Sequence, residues 1–314
     1  MIGRELGGRM KVELSDRNRS SEMITVKSLP IPGFSRLALL LLAAACLLPG
    51  LAAAAQEPGE FIRLAEGDDG KARSLQVALA RYVDDRGRRV DLVSAVHVAD
   101  REYFHDLQER FDRYESVLYE LVGDPDGGPE PPAGVGLSLV GLLQGGMKNA
   151  LGLAFQLEEI DYGRANFVHA DMTSAELSDS MKARNETWLG TFMQMWAASS
   201  LAQSASSKSP EAAMLQVLFS SDRQAAFKRV MAESLVDQQS VLEVLGGDQG
   251  SVLITERNRK ALSVLERELA GGARRLAIFY GAGHMPDFHR RLVAEHGFAL
   301  IDIEWVDAWR LTDG

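Results

Sequence analysis

From residue 56 onward the chain switches between a strand period and a helix period. Ser74-Leu-Gln-Val-Ala-Leu-Ala-Arg-Tyr-Val83 alternates apolar and polar side chains, as a strand with one covered face does. Asp84-Asp-Arg-Gly-Arg88 has turn chemistry and Val90–Val96 supplies a second apolar run, so the two strands form a hairpin. Between Asp100 and Tyr114 the residues Tyr103, Leu107 and Phe111 recur every fourth position, which predicts a helix with one buried stripe. Ser116–Val122 reads as a further strand, and Gly123–Pro132, rich in Asp, Gly and Pro, as a surface loop.

The stretch from about 133 to 250 reads as helical. Gly134–Phe155 is apolar but interrupted by Gln144, Lys148 and Asn149, which favours a buried amphipathic pair over an intramembrane helix. Trp188, Phe192, Met195 and Trp196 share one helical face and read as core; a polar connector at Ala202–Pro210 leads to a helix over Glu211–Leu245. The α/β pattern then returns: a helix over Val252–Ala270 ended by Gly271-Gly272, a strand at Arg274–Tyr280, a helix at Pro286–His296 and a last strand at Phe298–Trp305. The predicted fold class is α/β, a mixed central sheet built from both ends of the mature chain, residues 56–314, with a large helical insertion at about 133–250.

Residues 1–55 follow different rules. Arg36 precedes the apolar run Leu37–Leu48, Pro49-Gly50 breaks it, and Leu51-Ala-Ala-Ala-Ala55 offers small residues before Gln56: the parts of an export signal. Cleavage after Ala55 is the reading the small residues favour. Uncleaved, Leu37–Ala55 is long enough for one membrane anchor, and Cys46 offers a third reading as a lipid-attachment site. Met1–Ser35 is long for a leader, and a start at Met23 gives a more usual length. The expected location is therefore periplasmic or extracellular, with any membrane association made through this segment.

Charge and cysteine usage narrow the chemistry. The first 55 residues hold 7 of the 34 Lys and Arg and 4 of the 44 Asp and Glu, which leaves 27 against 40, a net of −13, on the mature part. No basic patch for nucleic acid is visible in the sequence. Cys46 is the single cysteine, so cleavage would remove disulfides, thiolate ligands and cysteine nucleophiles together.

Three polar residues sit where ligands collect in sheets with crossover helices, at the carboxyl ends of strands: His97, Glu120 and His284. Each histidine taken alone is more often structural. Glu120 closing an apolar strand is the stronger signal, because a buried carboxylate demands a partner. Two imidazoles and a carboxylate make either an incomplete metal shell or a metal-free acid/base set, and spacing leaves both open. Arg257, on the helix with Asn258, either turns inward to the carboxylate or joins Arg259 and Lys260 on a solvated face. His169 and Asp171 either complete the site or cap a turn; His105, His289 and His296 read as surface helix residues.

Ser94-Ala-Val-His97, Val117-Leu-Tyr-Glu120, Glu256-Arg-Asn-Arg259 and Gly281-Ala-Gly-His284 occur in the order found in the TraB/PrgY/GumN family, which includes the TIKI proteins. The chain resembles that family over roughly residues 75–122 and 250–305, and Gln156–Tyr162 and Asn166–Met172 are similar to members carrying such an insertion. Ser94 stands where the family has Gly. The resemblance implies a fold similar to erythromycin esterase and ChaN-like proteins, and hydrolysis with a divalent cation (Mn, Co or Zn). It implies that His97, Glu120 and His284 bind metal or activate water, with Arg257 and Asn258 positioning substrate or stabilising an oxyanion. The leading expectation is an exported metal-dependent hydrolase acting on a peptide or small molecule. The alternatives are a non-catalytic peptide- or anion-binding or inhibitory protein using the same cleft, and metal-free esterase chemistry.

When the whole chain is expressed in a cell that exports it, N-terminal sequencing of the exported form is expected to begin at Gln56. A product that keeps Leu37–Ala55 and sediments with membranes makes that segment an anchor instead.

Overall fold

Strand β2 (Ala72–Val83) organises the sheet, because its twelve residues are longer than any single neighbour on one of its sides. Along one edge runs β9 (Ala299–Arg310), antiparallel from Ser74↔Arg310 to Val83↔Ala299. The other edge is shared end to end: β1 (Ile62–Glu66) takes Ala72–Val77, and β3 (Arg89–Ala95) takes Leu79–Val83. The β2–β3 hairpin turns at Asp84, whose carboxylate accepts the backbone N–H of Arg86 and Arg88. These features belong to a computed structural model that describes residues 60–123, 151–187, 190, 215, 217–246 (backbone alone for 238–246) and 251–311.

Beyond β3 every pairing is parallel. β8 (Arg275–Gly281) lies next to β3, then β5 (Ser116–Tyr119), then β7 (Phe167–His169) at the edge. Parallel neighbours end on the same side, so four strands deliver their following residues to one rim. A separate short ladder, β4 (Val98–Ala99) with β6 (Ala154–Phe155), catches the chain as it leaves β3.

The parallel strands are covered on both faces, so their residues are apolar almost without break rather than alternating. Val93, Ala95, Val117, Ala277 and Phe279 pack under helix α1 (Arg101–Phe111), against Tyr103, Phe104, Leu107 and Phe111. Leu92, Leu118, Leu276, Ile278 and Tyr280 point the other way, onto α5 (Arg257–Ala270) and α6 (Met285–Ala294). Between α1 and α5 the chain adds α2 (Gln156–Glu159), α3 (Ser174–Ala183) and α4 (Arg223–Gly246). Thr173 and Glu176 close α3 with a reciprocal capping box. Phe227, Met231, Leu235 and Val236 of α4 pack on the α1 side of the sheet, and Lys228 fixes the helix to Asp100 at 2.7 Å.

The sheet is mixed, as the periodicity predicts, and the expected strands and flanking helices recur within a few residues of their expected bounds. Two differences have physical causes. The middle region is not wholly helical: Phe167-Val-His169 is a strand because β5 offers it an open edge, although three residues carry no readable period. The helix expected over Val252–Ala270 begins with a wider π turn at Val252–Glu256, capped by Ser251, before the α-helix starts at Arg257. The Trp188–Trp196 stripe, the 123–132 loop beyond Gly123, nearly all of Gly134–Phe155 and residues 1–55 lie outside the described residues. Among the described residues no helix is long and apolar enough to cross a membrane.

Phe111 joins α1 to the sheet, with its ring 4.8 Å from Phe279 and 5.5 Å from Phe167. It is wholly buried. Phe111→Ala is expected to lower unfolding free energy by about 3–5 kcal/mol in urea titrations, the range for an aromatic truncated to a cavity.

Candidate functional site

The common rim of β3, β5, β7 and β8 brings together His97, Glu120, Asp171 and His284, each one to three residues beyond its strand. Arg257 reaches the same point from the first turn of α5. Its Nε donates to Asp171 Oδ1 at 2.9 Å, and Nη2 donates to Asp171 Oδ2 at 2.5 Å and to Glu120 Oε1 at 2.7 Å. Nη1 donates, at 3.4 Å each, to the Leu253 carbonyl and to His284 Nε2. A guanidinium has five N–H donors, and all five have acceptors here.

Because Arg257 can only donate, His284 Nε2 is the acceptor and carries a lone pair. The proton is therefore on Nδ1, 2.6 Å from Asn258 Oδ1. Asn258 has only one orientation available: its amide N–H groups donate to the His284 carbonyl and to Asp287, both at 3.0 Å, which turns the oxygen to the imidazole. Burial pushes the His284 imidazole down to about 4; the Glu120 carboxylate opposes that shift and Arg257 adds to it.

His97 is arranged the same way by different parts. Its Nδ1 lies 3.2 Å from Gln156 Oε1, while the Gln156 amide donates to the Tyr162 hydroxyl at 2.8 Å. The backbone agrees, since Gln156 N–H donates to the His97 carbonyl at 2.9 Å. The insertion thus sets the direction of His97 through β6 and α2. His97 is exposed, and its Nε2 makes no hydrogen bond among the described residues.

Glu120 lies between the two imidazoles. Oε1 holds Arg257 and is 3.5 Å from His284 Nε2, and Oε2 accepts the Gly281 N–H at 2.7 Å. Burial is the largest single influence and works against the charge, but the Arg257 guanidinium, the two imidazoles and the Gly281 N–H together outweigh it and hold this carboxyl well below the usual carboxylate range. Gly281 matters for its size, not for its backbone angle: a Cβ there would stand 3.3 Å from Glu120 Oε2, so that the carboxylate would have to give by a few tenths of an ångström.

His97, Glu120 and His284 line a cavity of about 360 Å³, together with Gly281, Ala282 and Gly283. Its other walls are apolar: Ile62, Val96, Val98, Leu235, Ile254 and Trp309. A concave apolar chamber with a few convergent polar groups is the usual form of a small-molecule site. The three residues singled out by sequence converge as expected.

Arg257 turns inward to the Glu120 carboxylate, one of the two directions the sequence leaves open, with Asn258 next to it on the same helix. Neither lines the cavity. Arg257 has no donor left for a substrate and Asn258 is wholly buried behind His284, so both act as positioning residues. Among the described residues, no group of three or more His, Cys, Asp or Glu side chains is placed to hold a metal ion. Arg257 is the cation already seated between Glu120 and His284. His169, weighed as a site member, instead lies 2.7 Å from the Leu121 carbonyl through Nε2 and meets the Tyr119 ring edge-on. Ser94 is buried, its carbonyl accepting the Tyr103 hydroxyl at 3.0 Å, and its own hydroxyl has no partner among the described residues. Gln156 and Tyr162 bound a segment that the sequence singles out, but their roles were not readable there; the only signal for the pairing role of Asp171 is that a buried acid and a buried Arg need each other.

The low His284 value fixes a stability window. Unfolded, the imidazole titrates near its ordinary 6.5; folded, near 4, so the unfolded chain binds the extra proton between those values. The contribution is complete above about pH 6.5 and is lost as pH falls through about 4, on the order of 3 kcal/mol in all. Denaturant midpoints measured from pH 7.5 to 4 should show this slope, and His284→Gln should lack it; equal slopes in both proteins would remove the assignment.

Compared with protein-family models, with curated proteins and with solved structures, the chain has no match in any of the three.

Proposed function

We propose that this chain is an exported hydrolase of the TraB/PrgY/GumN type, in which His97 activates water beside a carboxylate held charged by Arg257. The observation that supports it most is the Nε2 of His97, a nitrogen with no hydrogen-bond partner among the described residues, on the lining of an apolar cavity, in a ring whose Nδ1 proton is anchored on Gln156. His284 is the weaker base, since its Nε2 already accepts from Arg257 and burial disfavours its charge. The apolar walls take a hydrophobic side chain or acyl group, and among the described residues no Lys or Arg lines the cavity to receive an anionic one.

The chemistry needs few parts. A water hydrogen-bonded to His97 Nε2 passes it a proton as the water oxygen bonds to the substrate carbonyl carbon. The imidazolium, steadied by the nearby Glu120 carboxylate, returns that proton to the leaving group as the old bond breaks. Burial and Arg257 keep His284 neutral, and Asn258, itself held by Asp287, fixes its ring, so that the rim carries one mobile proton. The divalent cation implied by the resemblance, Mn, Co or Zn, does not fit these side chains as placed, because it would have to displace Arg257 from Glu120 and His284.

The purified chain, treated with chelator, is expected to hydrolyse members of a panel of acyl esters and short apolar peptides. His97→Ala should lower kcat by about 10²–10⁴, the usual share of a general base, with the unfolding midpoint unchanged because the side chain is exposed. Turnover that returns only with Mn, Co or Zn transfers the activation of water from His97 to a metal. Absence of turnover across the panel, with and without metal, ends the hydrolase reading in favour of a binding protein.

A further inference from the structure

A second concavity, of about 270 Å³, lies at the opposite end of the parallel strands from the cleft, roughly 20 Å away by the rise of a seven-residue strand. Its lining includes five arginines: Arg81, Arg89, Arg110, Arg113 and Arg275, with Leu79, Asp91 and Tyr114. The mature part of the chain is otherwise strongly acidic, so this concentration of guanidinium groups is local.

Internal carboxylates account for only two of the five. Arg81 pairs with Asp302 at 2.6 Å, with Glu304, and more distantly with Asp91 at 3.9 Å. Arg110 pairs with Asp106 at 2.7 Å and Glu304 at 2.8 Å. Asp91 Oδ2, the oxygen nearer Arg81, accepts the Tyr114 hydroxyl at 2.6 Å. Arg89, Arg113 and Arg275 form no ion pair among the described residues; Asp91 acts on Arg89, and Glu115 on Arg275, only from beyond pairing distance.

Two of these three are forced together by the sheet. Arg89 and Arg275 are direct partners in the parallel register of β3 and β8, which puts both side chains on the α1 face, about 4.8 Å apart between strands. Like charges directly opposite each other destabilise a sheet. Arg113 approaches from the turn after α1, on the same side. Three exposed guanidinium groups around a cavity worth about nine water volumes, at about 30 Å³ each, suit a compact anion and are too small a receptacle for a folded partner.

We propose that this pocket binds a phosphate or diphosphate group, gripped by Arg89, Arg113 and Arg275 through paired N–H donors. Arginine is suited to this work because its planar fork matches two phosphate oxygens at once. The group can belong to a soluble phosphate compound or to a lipid headgroup, and the chemistry of capture is the same. The proposal is independent of the reading of the cleft.

Isothermal titration of the full chain with inorganic diphosphate tests it. Binding is expected to be tighter for diphosphate than for phosphate and to weaken as salt rises. The Arg89→Gln, Arg275→Gln double variant should lose at least tenfold in affinity, Arg113→Gln several-fold, and His97→Ala nothing. Without anion the double variant should melt at a higher temperature than the parent, because a repulsion has been removed, and diphosphate should no longer raise its melting point. Should the double variant fail to fold, Arg113→Gln at the helix end carries the test alone. Flotation with phosphatidylcholine vesicles, with and without phosphatidic acid, distinguishes the sources: selective capture that diphosphate competes away assigns a headgroup, and no selectivity assigns a soluble compound. No heat with millimolar diphosphate, or an affinity that Arg113→Gln and the double variant leave unchanged, overturns the proposal.

Discussion

A guanidinium sealed inside the fold by two carboxylates is the constraint from which the rest of this rim follows. Arg257 is almost wholly buried, and an ion taken out of water is tolerated only when its charge and all its donors are matched. Asp171 and Glu120 provide the charge; Leu253 and His284 complete the donors. To bring those acceptors to one point, β5, β7 and β8 must end together and α5 must start beside them. The parallel register does the first, and the π turn capped by Ser251 does the second. Its wider turn sets the angle at which Arg257 enters, a use often found where such turns occur at functional sites.

The same cation divides the two histidines into different kinds of group. His284 borders the guanidinium, so one ring nitrogen is consumed as an acceptor and the ring stays neutral. His97 stands on the solvent side of Glu120, away from Arg257, and keeps its Nε2 clear. Two residues with the same amino-acid type, a similar strand-end position and the same amide-held Nδ1 differ because one is buried beside a fixed charge and the other is exposed. The apolar walls reinforce the difference, since a chamber lined by Ile62, Leu235, Ile254 and Trp309 strengthens every electrostatic contact on its floor.

Much of this was legible in the order of residues. Covered strands show as apolar runs, and Glu120, an acid at the end of one, announces a buried partner. What periodicity could not provide was the identity of that partner. Arg257 sits among Arg259 and Lys260, and the same spacing serves a solvated face; only the π turn before it makes the inward direction plain. Phe167–His169 was hidden for a different reason. A three-residue strand is defined by the edge it joins, and that edge is contributed by residues fifty positions earlier. Gln156 belongs to the same class, because an amide becomes the holder of an imidazole through β4–β6 pairing and not through any local pattern.

The long reach of β9 brings one wall of the chamber from far along the chain. Trp309 forms one wall of the chamber and donates its indole N–H to Val98, 211 positions earlier, at 2.7 Å. A nascent chain extended as far as residue 300 already holds both imidazoles, the acid and its arginine, yet has an open gutter in place of a room. Contacts between such distant segments close slowly, after the local ones. The chamber is thus walled only once β9 has paired with β2, although the groups on its floor all come from earlier in the chain.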